Sequence, residues 1–303
     1  MSFDYSKLTN QLDLNKIEYR LAEPMRDHTT FRIGGSAAVY AIPATGEELI
    51  ATVKLAKVED AQFFILGRGS NIIFADAGYD GVVISTEKLK SIKVDGNKIW
   101  CEAGVSLNTL SALAKDESLA GLSFAYGIPG YVGGAVFMNA GAYGGEISNV
   151  LVKSTYYDTA KDEIGTCVGN EHHFGYRESV YREHPERIIL SAEFELSPGN
   201  KDEIKAEMDD FMERRRSKQP LEFPSAGSVF KRCEGHFTGK LIEESGLKGT
   251  TVGGAQVSVK HAGFIINVGG ATANDVLQLI DIIKDTIRKN YGLELVCEMI
   301  YVG

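Results

Sequence analysis

Apolar and polar positions alternate in two rhythms along the chain. Spacing predicts a helix near residues 6–17. Thr45, Gly46, Glu47 and Glu48 read as a capping box opening a second helix, which carries Leu49, Ile50, Val53 and Leu55. The apolar run 62–66 predicts a strand that enters a glycine turn and leaves into 72–74. Alternation predicts short strands at 81–85, 91–94 and 98–102, with Asp95-Gly96 as a hairpin turn. A helix follows near 107–114, then strands at 150–157 and 187–195, with Phe174-Gly175-Tyr176-Arg177 between them. Past Ser197-Pro198-Gly199-Asn200 the composition shifts. A helix there presents Ile204, Met208, Phe211 and Met212 on one face and ends in Arg214-Arg215-Arg216-Ser217-Lys218. A loop at 220–227 leads to short strands with glycine turns up to Gly270. Thr272 and Asp275 cap a last helix bearing Val276, Leu279, Ile280, Ile283 and Ile287, and a strand is expected at 295–302. No internal repeat or low-complexity segment interrupts this order.

Length narrows the picture. At roughly 150 residues per domain, 303 residues predict about two domains, here 1–196 and 197–303. Hydrophobic residues are 44% and charged residues 24%, which excludes a disordered, collagenous or coiled-coil chain. The 33 glycines are in excess and the 7 prolines are few, a balance that marks tight turns and close backbone approach rather than linkers. A net charge of −9 argues against nucleic-acid or anionic-membrane partners. No apolar run is long enough to span a membrane, and the polar start has no secretory core. The four cysteines are widely spaced, without zinc spacing, so a reduced cytoplasmic protein without a metal is expected.

Several nucleotide motifs are excluded. Gly67-Arg68-Gly69 has Ile72 where a third glycine would complete the dinucleotide fingerprint, and a strand follows it rather than a helix. Gly235 to Lys240 falls one residue short of a phosphate-binding loop. His172-His173 is expected in a solvated loop rather than at a metal. Two glycine clusters remain. Residues 67–71 (Gly67, Arg68, Gly69, Ser70, Asn71) leave backbone N–H groups free to form an anion nest, or make a plain turn. Residues 127–147 contain seven glycines in 21 positions, a backbone bare enough for a flat ligand to lie against, or a buried crossing of chains. Residues 211–240 carry seven Lys/Arg against three Asp/Glu, a basic patch that suits a phosphorylated ligand.

The ordered set of fragments resembles the UDP-N-acetylenolpyruvoylglucosamine reductase family. The matching segments are Thr30-Phe31-Arg32-Ile33-Gly34-Gly35, Leu66-Gly67-Arg68-Gly69-Ser70-Asn71, Gly127-Ile128-Pro129-Gly130, Val132-Gly133-Gly134-Ala135, Asn139-Ala140-Gly141-Ala142-Tyr143-Gly144, Tyr176-Arg177, Ala226-Gly227-Ser228-Val229-Phe230-Lys231, His261-Ala262-Gly263-Phe264 and Glu298. The length resembles the shorter type, without an extra tyrosine-bearing loop. The resemblance implies an α+β FAD-binding fold of the vanillyl-alcohol oxidase type, with two α+β subdomains in 1–196 and an α+β substrate-binding domain in 197–303. It implies FAD held by Arg32, the 67–71 turn and, from the second cluster, Gly127, Ile128, Pro129, Gly130, Gly133, Gly134, Ala135, Asn139, Gly141, Ala142 and Tyr143. Two positions depart from the family pattern. Tyr131 stands where serine or threonine is usual, and Arg232-Cys233 stands where Asn-Pro is common.

The activity so implied is reduction of an enolpyruvyl ether on a UDP-sugar, with NADPH as electron donor. Ser228 would be the proton donor. Arg177 and Glu298 would bind and polarise the substrate carboxylate, Glu298 being able to act in protonated form. Tyr176, Arg214, Lys231 and Lys240 are candidates for the UDP-sugar. The partner expected is this small molecule alone, on a monomer. Alternatives are another flavin oxidoreductase of the same fold, acting on an alcohol or lactone, and a nucleotide-sugar binding module without flavin.

Overall fold

The computed structural model describes residues 4–233 and 235–303. Its chain forms two compact units, each assembled from separated segments. Residues 1–20, 39–68 and 81–215 make the first; residues 21–38, 69–80 and 216–303 make the second.

In the first unit, helices α1 (Ser6–Leu14) and α2 (Gly46–Val58) belong to one apolar core with Leu8, Leu12, Leu49, Val53, Val82 and Ile84. The helix start expected at Thr45 is present: its hydroxyl accepts from Glu48 N–H at 3.1 Å. A second core lies under a five-stranded antiparallel sheet ordered Glu163–Val168, Leu151–Asp158, Arg187–Glu195, Lys98–Glu102 and Ile92–Asp95. The hairpin turn joining the last two strands falls one residue later than expected: Asp95 pairs with Lys98, so Gly96, at φ 58°, and Asn97 are its central residues. Helices α3 (Leu107–Asp116), α4 (Val132–Phe137), α5 (Val180–Glu183) and α6 (Lys201–Lys218) complete the helices of this part, α6 running past the division at residue 215.

The second unit packs α7 (Thr238–Glu244) and α8 (Ala273–Tyr291) with a four-stranded antiparallel sheet ordered Ser225–Ser228, Phe264–Asn267, Ala255–Val257 and Thr251–Val252. The expected cap of α8 is reciprocal: Thr272 Oγ1 accepts from Asp275 N–H at 3.1 Å, and Asp275 Oδ2 accepts from Thr272 N–H at 2.9 Å. Its five predicted apolar residues are all buried, each worth about 1.5–3 kcal/mol of transfer free energy.

Several elements differ from expectation. The 295–302 strand is confined to Ile300–Val302, because its parallel partner, Ile72–Phe74, has only three residues to pair with. Two further strands, Glu18–Pro24 and Ser36–Ile42, join Tyr79–Ser85 and Phe63–Leu66 in a four-stranded sheet. The first carries mostly exposed side chains and the second is rich in alanine, so neither shows apolar alternation. α7 sits among glycines that read as turns, and Ser225–Ser228 is a strand where a loop was expected. Among the described residues no helix is long and apolar enough to cross a membrane.

Candidate active site

The second glycine cluster is held against the first unit's core by its backbone. Val132 N–H donates to Val105 O at 2.9 Å and Gly133 N–H to Ala103 O at 2.8 Å. These bonds start α4 inside a segment whose glycines give no helical signal. Tyr131 occupies its N-cap position, where serine or threonine would accept a backbone N–H, and makes no such bond. Its ring instead lies 5.9 Å from the Arg68 guanidinium. Arg68 from the first cluster and Tyr131 from the second are thereby brought together.

Asn139 is the hub of the next turn. It is wholly buried in the left-handed region at φ 42°. Its Nδ2 donates to Gly175 O at 3.0 Å, and its Oδ1 accepts from Ser148 N–H at 3.0 Å. Arg177 donates to Asn139 O at 3.3 Å and Gly141 O at 3.1 Å, and its guanidinium lies 5.0 Å from the Tyr176 ring centre. Five residues selected from sequence (Asn139, Gly141, Ala142, Tyr176 and Arg177) thus form one cluster, with Gly141–Ala142 paired to Gly145–Glu146 as a hairpin.

The end of α6 lies beside the same hairpin. Phe211 stacks on Tyr143 with ring centres 4.7 Å apart, and the buried Arg215 guanidinium lies 5.7 Å from the Tyr143 ring. Burial pushes the Arg215 pKa below its ordinary value, but arginine remains charged at neutral pH. Arg214 instead makes an exposed ion pair with Asp210 at 2.7 Å. Of the two neighbouring cations, Arg215 is the one buried beside Tyr143, and the sequence reading singles out only Arg214. The signal was available: the period placing Ile204, Met208 and Phe211 inward also places position 215 inward.

In the second unit, Thr30 Oγ1 donates to Ser225 O at 2.7 Å, and Asn267 Nδ2 donates to Phe31 O at 3.2 Å. The family-like 30–35 segment is thereby fastened to the strands that carry Ser228. Arg32 is exposed at φ 56°. Gly69 is at φ 66°, and a Cβ there would sit 2.2 Å from His28 O, so this turn requires glycine. Asn71 Nδ2 donates to Glu298 O at 3.0 Å, and Glu298 N–H donates to Val229 O at 2.8 Å. With Lys231 N–H on Val296 O at 2.9 Å, these bonds lay 228–231 antiparallel to 296–298. The segment that follows Ser228 therefore runs beside the segment of Glu298, to which Asn71 is bonded, with Ser228 exposed and Glu298 half-buried. Lys240 stands apart on α7, exposed and ion-paired to Glu244 at 3.5 Å.

The fit to a flat cofactor rests on which glycines border open space. A Cβ on Gly127 would meet Met212 Cε at 2.8 Å, one on Gly133 Ala103 Cβ at 3.0 Å, and one on Gly141 Glu146 Cβ at 2.7 Å. Packing explains Gly133 and Gly141, and a left-handed φ of 83° explains Gly127. A Cβ on Gly67, Gly134 or Gly144 would meet nothing within 4 Å. Gly67 and Gly134 are not left-handed either, so neither conformation nor protein packing demands glycine there. Bare backbone facing open space suits an isoalloxazine or pyrophosphate, and the residues present fit FAD.

The His172-His173 expectation needs correction. His173 is exposed, but His172 is wholly buried in a 3-10 turn, where its two ring nitrogens find internal partners.

Comparisons with known proteins agree with this geometry. A model described as an FAD-binding domain matches residues 37–167, so the fold and site define an FAD-dependent oxidoreductase of α+β build. The model for the C-terminal domain of UDP-N-acetylenolpyruvoylglucosamine reductase matches residues 219–302. The reductase of that name from Clostridium kluyveri is 47% identical over 297 residues, covering 98% of this chain and 96% of the relative. That from Syntrophomonas wolfei is 46% identical over 300 residues, covering 99% of both chains. The crystal structure of UDP-N-acetylenolpyruvylglucosamine reductase from Thermus caldophilus aligns with a TM-score of 0.79 at 32% identity, covering 95% of this chain and 99% of that one. The chain belongs to the UDP-N-acetylenolpyruvoylglucosamine reductase family.

Proposed function

We propose that the protein uses NADPH and FAD to reduce the enolpyruvyl group of UDP-N-acetylglucosamine enolpyruvate, forming UDP-N-acetylmuramate for peptidoglycan synthesis. The observation that supports the reading most is the antiparallel run that pairs the segment just after Ser228 with the segment carrying Glu298. Bound FAD, reduced by NADPH, supplies the hydride for the substrate's β carbon. The chain's own residues manage the charge and the proton. As the C=C bond accepts hydride, negative charge builds on the α carbon and its carboxylate. Arg177, its guanidinium held by Asn139 O and Gly141 O, binds that carboxylate and stabilises the charge. Glu298 polarises the same group. Ser228 donates its hydroxyl proton to the α carbon, which is basic enough to take it. NADPH leaves as NADP+, and the substrate gains one hydride and one proton, so the reaction balances.

Residues 1–196 form the FAD-binding domain, which also carries Tyr176 and Arg177, and 197–303 form the substrate-binding domain. Arg32, Gly67, Arg68, Gly69, Ser70, Asn71 and the second glycine cluster contact FAD. Tyr176, Arg214, Lys231 and Lys240 contact the UDP-sugar. The protein works as a cytoplasmic monomer, without nucleic acid or membrane. Mixing the yellow protein with NADPH and the enolpyruvyl sugar tests the reading. NADPH loss should match UDP-N-acetylmuramate formed one to one. NADPH loss that does not depend on the sugar would sink it.

A further inference from the structure

A buried polar chain lies behind the turn that carries Arg177. His172 Nδ1 is 2.8 Å from Gly169 O, and its Nε2 is 2.8 Å from Ser154 Oγ. Ser154 Oγ is also 2.5 Å from Tyr181 OH. A carbonyl only accepts, so Nδ1 carries the proton. In the neutral ring Nε2 must then accept, and Ser154 must donate to it. Ser154 has given its only proton, so Tyr181 donates to Ser154. Every donor in the chain has one direction: Tyr181 to Ser154 to His172 to Gly169. All three side chains are buried, so an unmade bond would leave a polar atom away from water.

The chain is anchored in three different elements. Ser154 belongs to the inner strand Leu151–Asp158, His172 to the turn Gly169–His172, and Tyr181 to α5. The segment between His172 and α5 is fastened at both ends. The His172 ring stacks on Phe174 with centres 5.0 Å apart, and Ser179 Oγ donates to Phe137 O at 2.7 Å. Between these points Gly175 and Glu178 exchange both backbone bonds at 3.2 Å, which leaves Tyr176 and Arg177 as the two central residues of a tight turn. Arg177 sits there at φ 59°, an uncommon conformation for a side chain of its size that its surroundings must hold.

We propose that the Tyr181–Ser154–His172 chain positions Arg177, fixing the 172–179 segment so that the guanidinium meets the substrate carboxylate in one geometry. None of the three touches the reacting atoms. The inference rests on the role proposed above for Arg177. Removing one link loosens the turn without changing its charges.

The test uses the full-length holoenzyme. Ser154→Ala and Tyr181→Phe each delete one hydroxyl from a buried site of nearly unchanged shape. Hydrogen exchange at the amides of residues 173–179 should rise about tenfold or more in both variants. Turnover of the enolpyruvyl sugar should fall about ten- to a hundredfold in kcat, the scale of a small misplacement at a reacting centre. Reduction of bound flavin by NADPH should stay within about twofold of the parent. His172→Gln keeps an acceptor toward Ser154 and should recover part of the rate that His172→Leu loses. Unchanged exchange, an unchanged kcat, or equal loss of both half-reactions would overturn the proposal. Arg177→Lys with full turnover would overturn the Arg177 assignment instead, while the exchange result for the network would stand.

Discussion

Replacing Gly134 by alanine separates what folding requires from what the cofactor requires. The position lies within α4, is not left-handed, and offers an added Cβ no neighbour within 4 Å. Alanine in a helix is favoured over glycine by about 0.5–1 kcal/mol. At about 2–4 °C per kcal/mol for a protein of this size class, the flavin-free variant should melt about 1–4 °C higher. On the proposed FAD contact at this bare backbone, the methyl group intrudes once the cofactor is bound. Overpacking costs about 1–3 kcal/mol, so affinity should fall about 5- to 150-fold. The stabilisation given by excess FAD falls with it. Thermal melts with and without FAD, together with a flavin titration, measure both signs. FAD affinity within twofold of the parent would refute the reasoning that this bare backbone faces the cofactor. So would a flavin-free variant that melts several degrees lower.

Other substitutions probe neighbouring claims. Gly69→Ala should behave oppositely to Gly134→Ala, losing more than about 2 kcal/mol by denaturant unfolding even without flavin, since its Cβ would lie 2.2 Å from His28 O at a positive φ. Arg215→Ala should cost about 2 kcal/mol or more through lost buried packing and the guanidinium contact with the Tyr143 ring, and Arg215→Lys should restore it only in part, because lysine cannot replace the guanidinium's shape. Burial holds the His172 pKa below its ordinary value, so the folded state prefers the neutral ring. Stability from this group is complete above the unfolded pKa of about 6.5 and is lost as the pH falls toward the lower folded value. Melting temperatures at pH 7.5 and 5.5 should therefore differ less for His172→Gln than for the parent. His261, also pushed down by burial, keeps part of the slope.

Elements whose signals are local were legible. The cap and apolar stripe of α8 and the Thr45 cap each lie within a few residues of chain, and the structure has them where spacing predicts; the hairpin turn lies one residue further on, at Gly96-Asn97. α4 and α7 were hidden because both contain glycine, which reads as a turn until packing is known. Distance in sequence hid most of the site. Asn139 enters the sequence reading through the family resemblance, yet its structural work is to join residues 148 and 175, contacts that no local pattern encodes. The neighbourhood of Ser228, Glu298 and Asn71 likewise joins segments up to 227 positions apart and entered the reading only through family resemblance. His172 was misjudged because a histidine pair carries no sign of which ring is buried. Arg215 was legible in the period of α6 but was obscured by the run of cations around it.

The central claim is that Ser228 protonates the substrate as the hydride is delivered, so that hydride transfer depends on it, and one pair of half-reactions tests it directly. Holoenzyme and Ser228→Ala are first reduced by NADPH, then mixed without oxygen with the enolpyruvyl UDP-sugar while the flavin absorbance is followed. The account predicts equal rates of reduction by NADPH and return of the flavin colour slowed about 10²- to 10⁴-fold in the variant, the scale of a lost general acid. Reoxidation at the parent's rate, or equal loss of both steps, would contradict it.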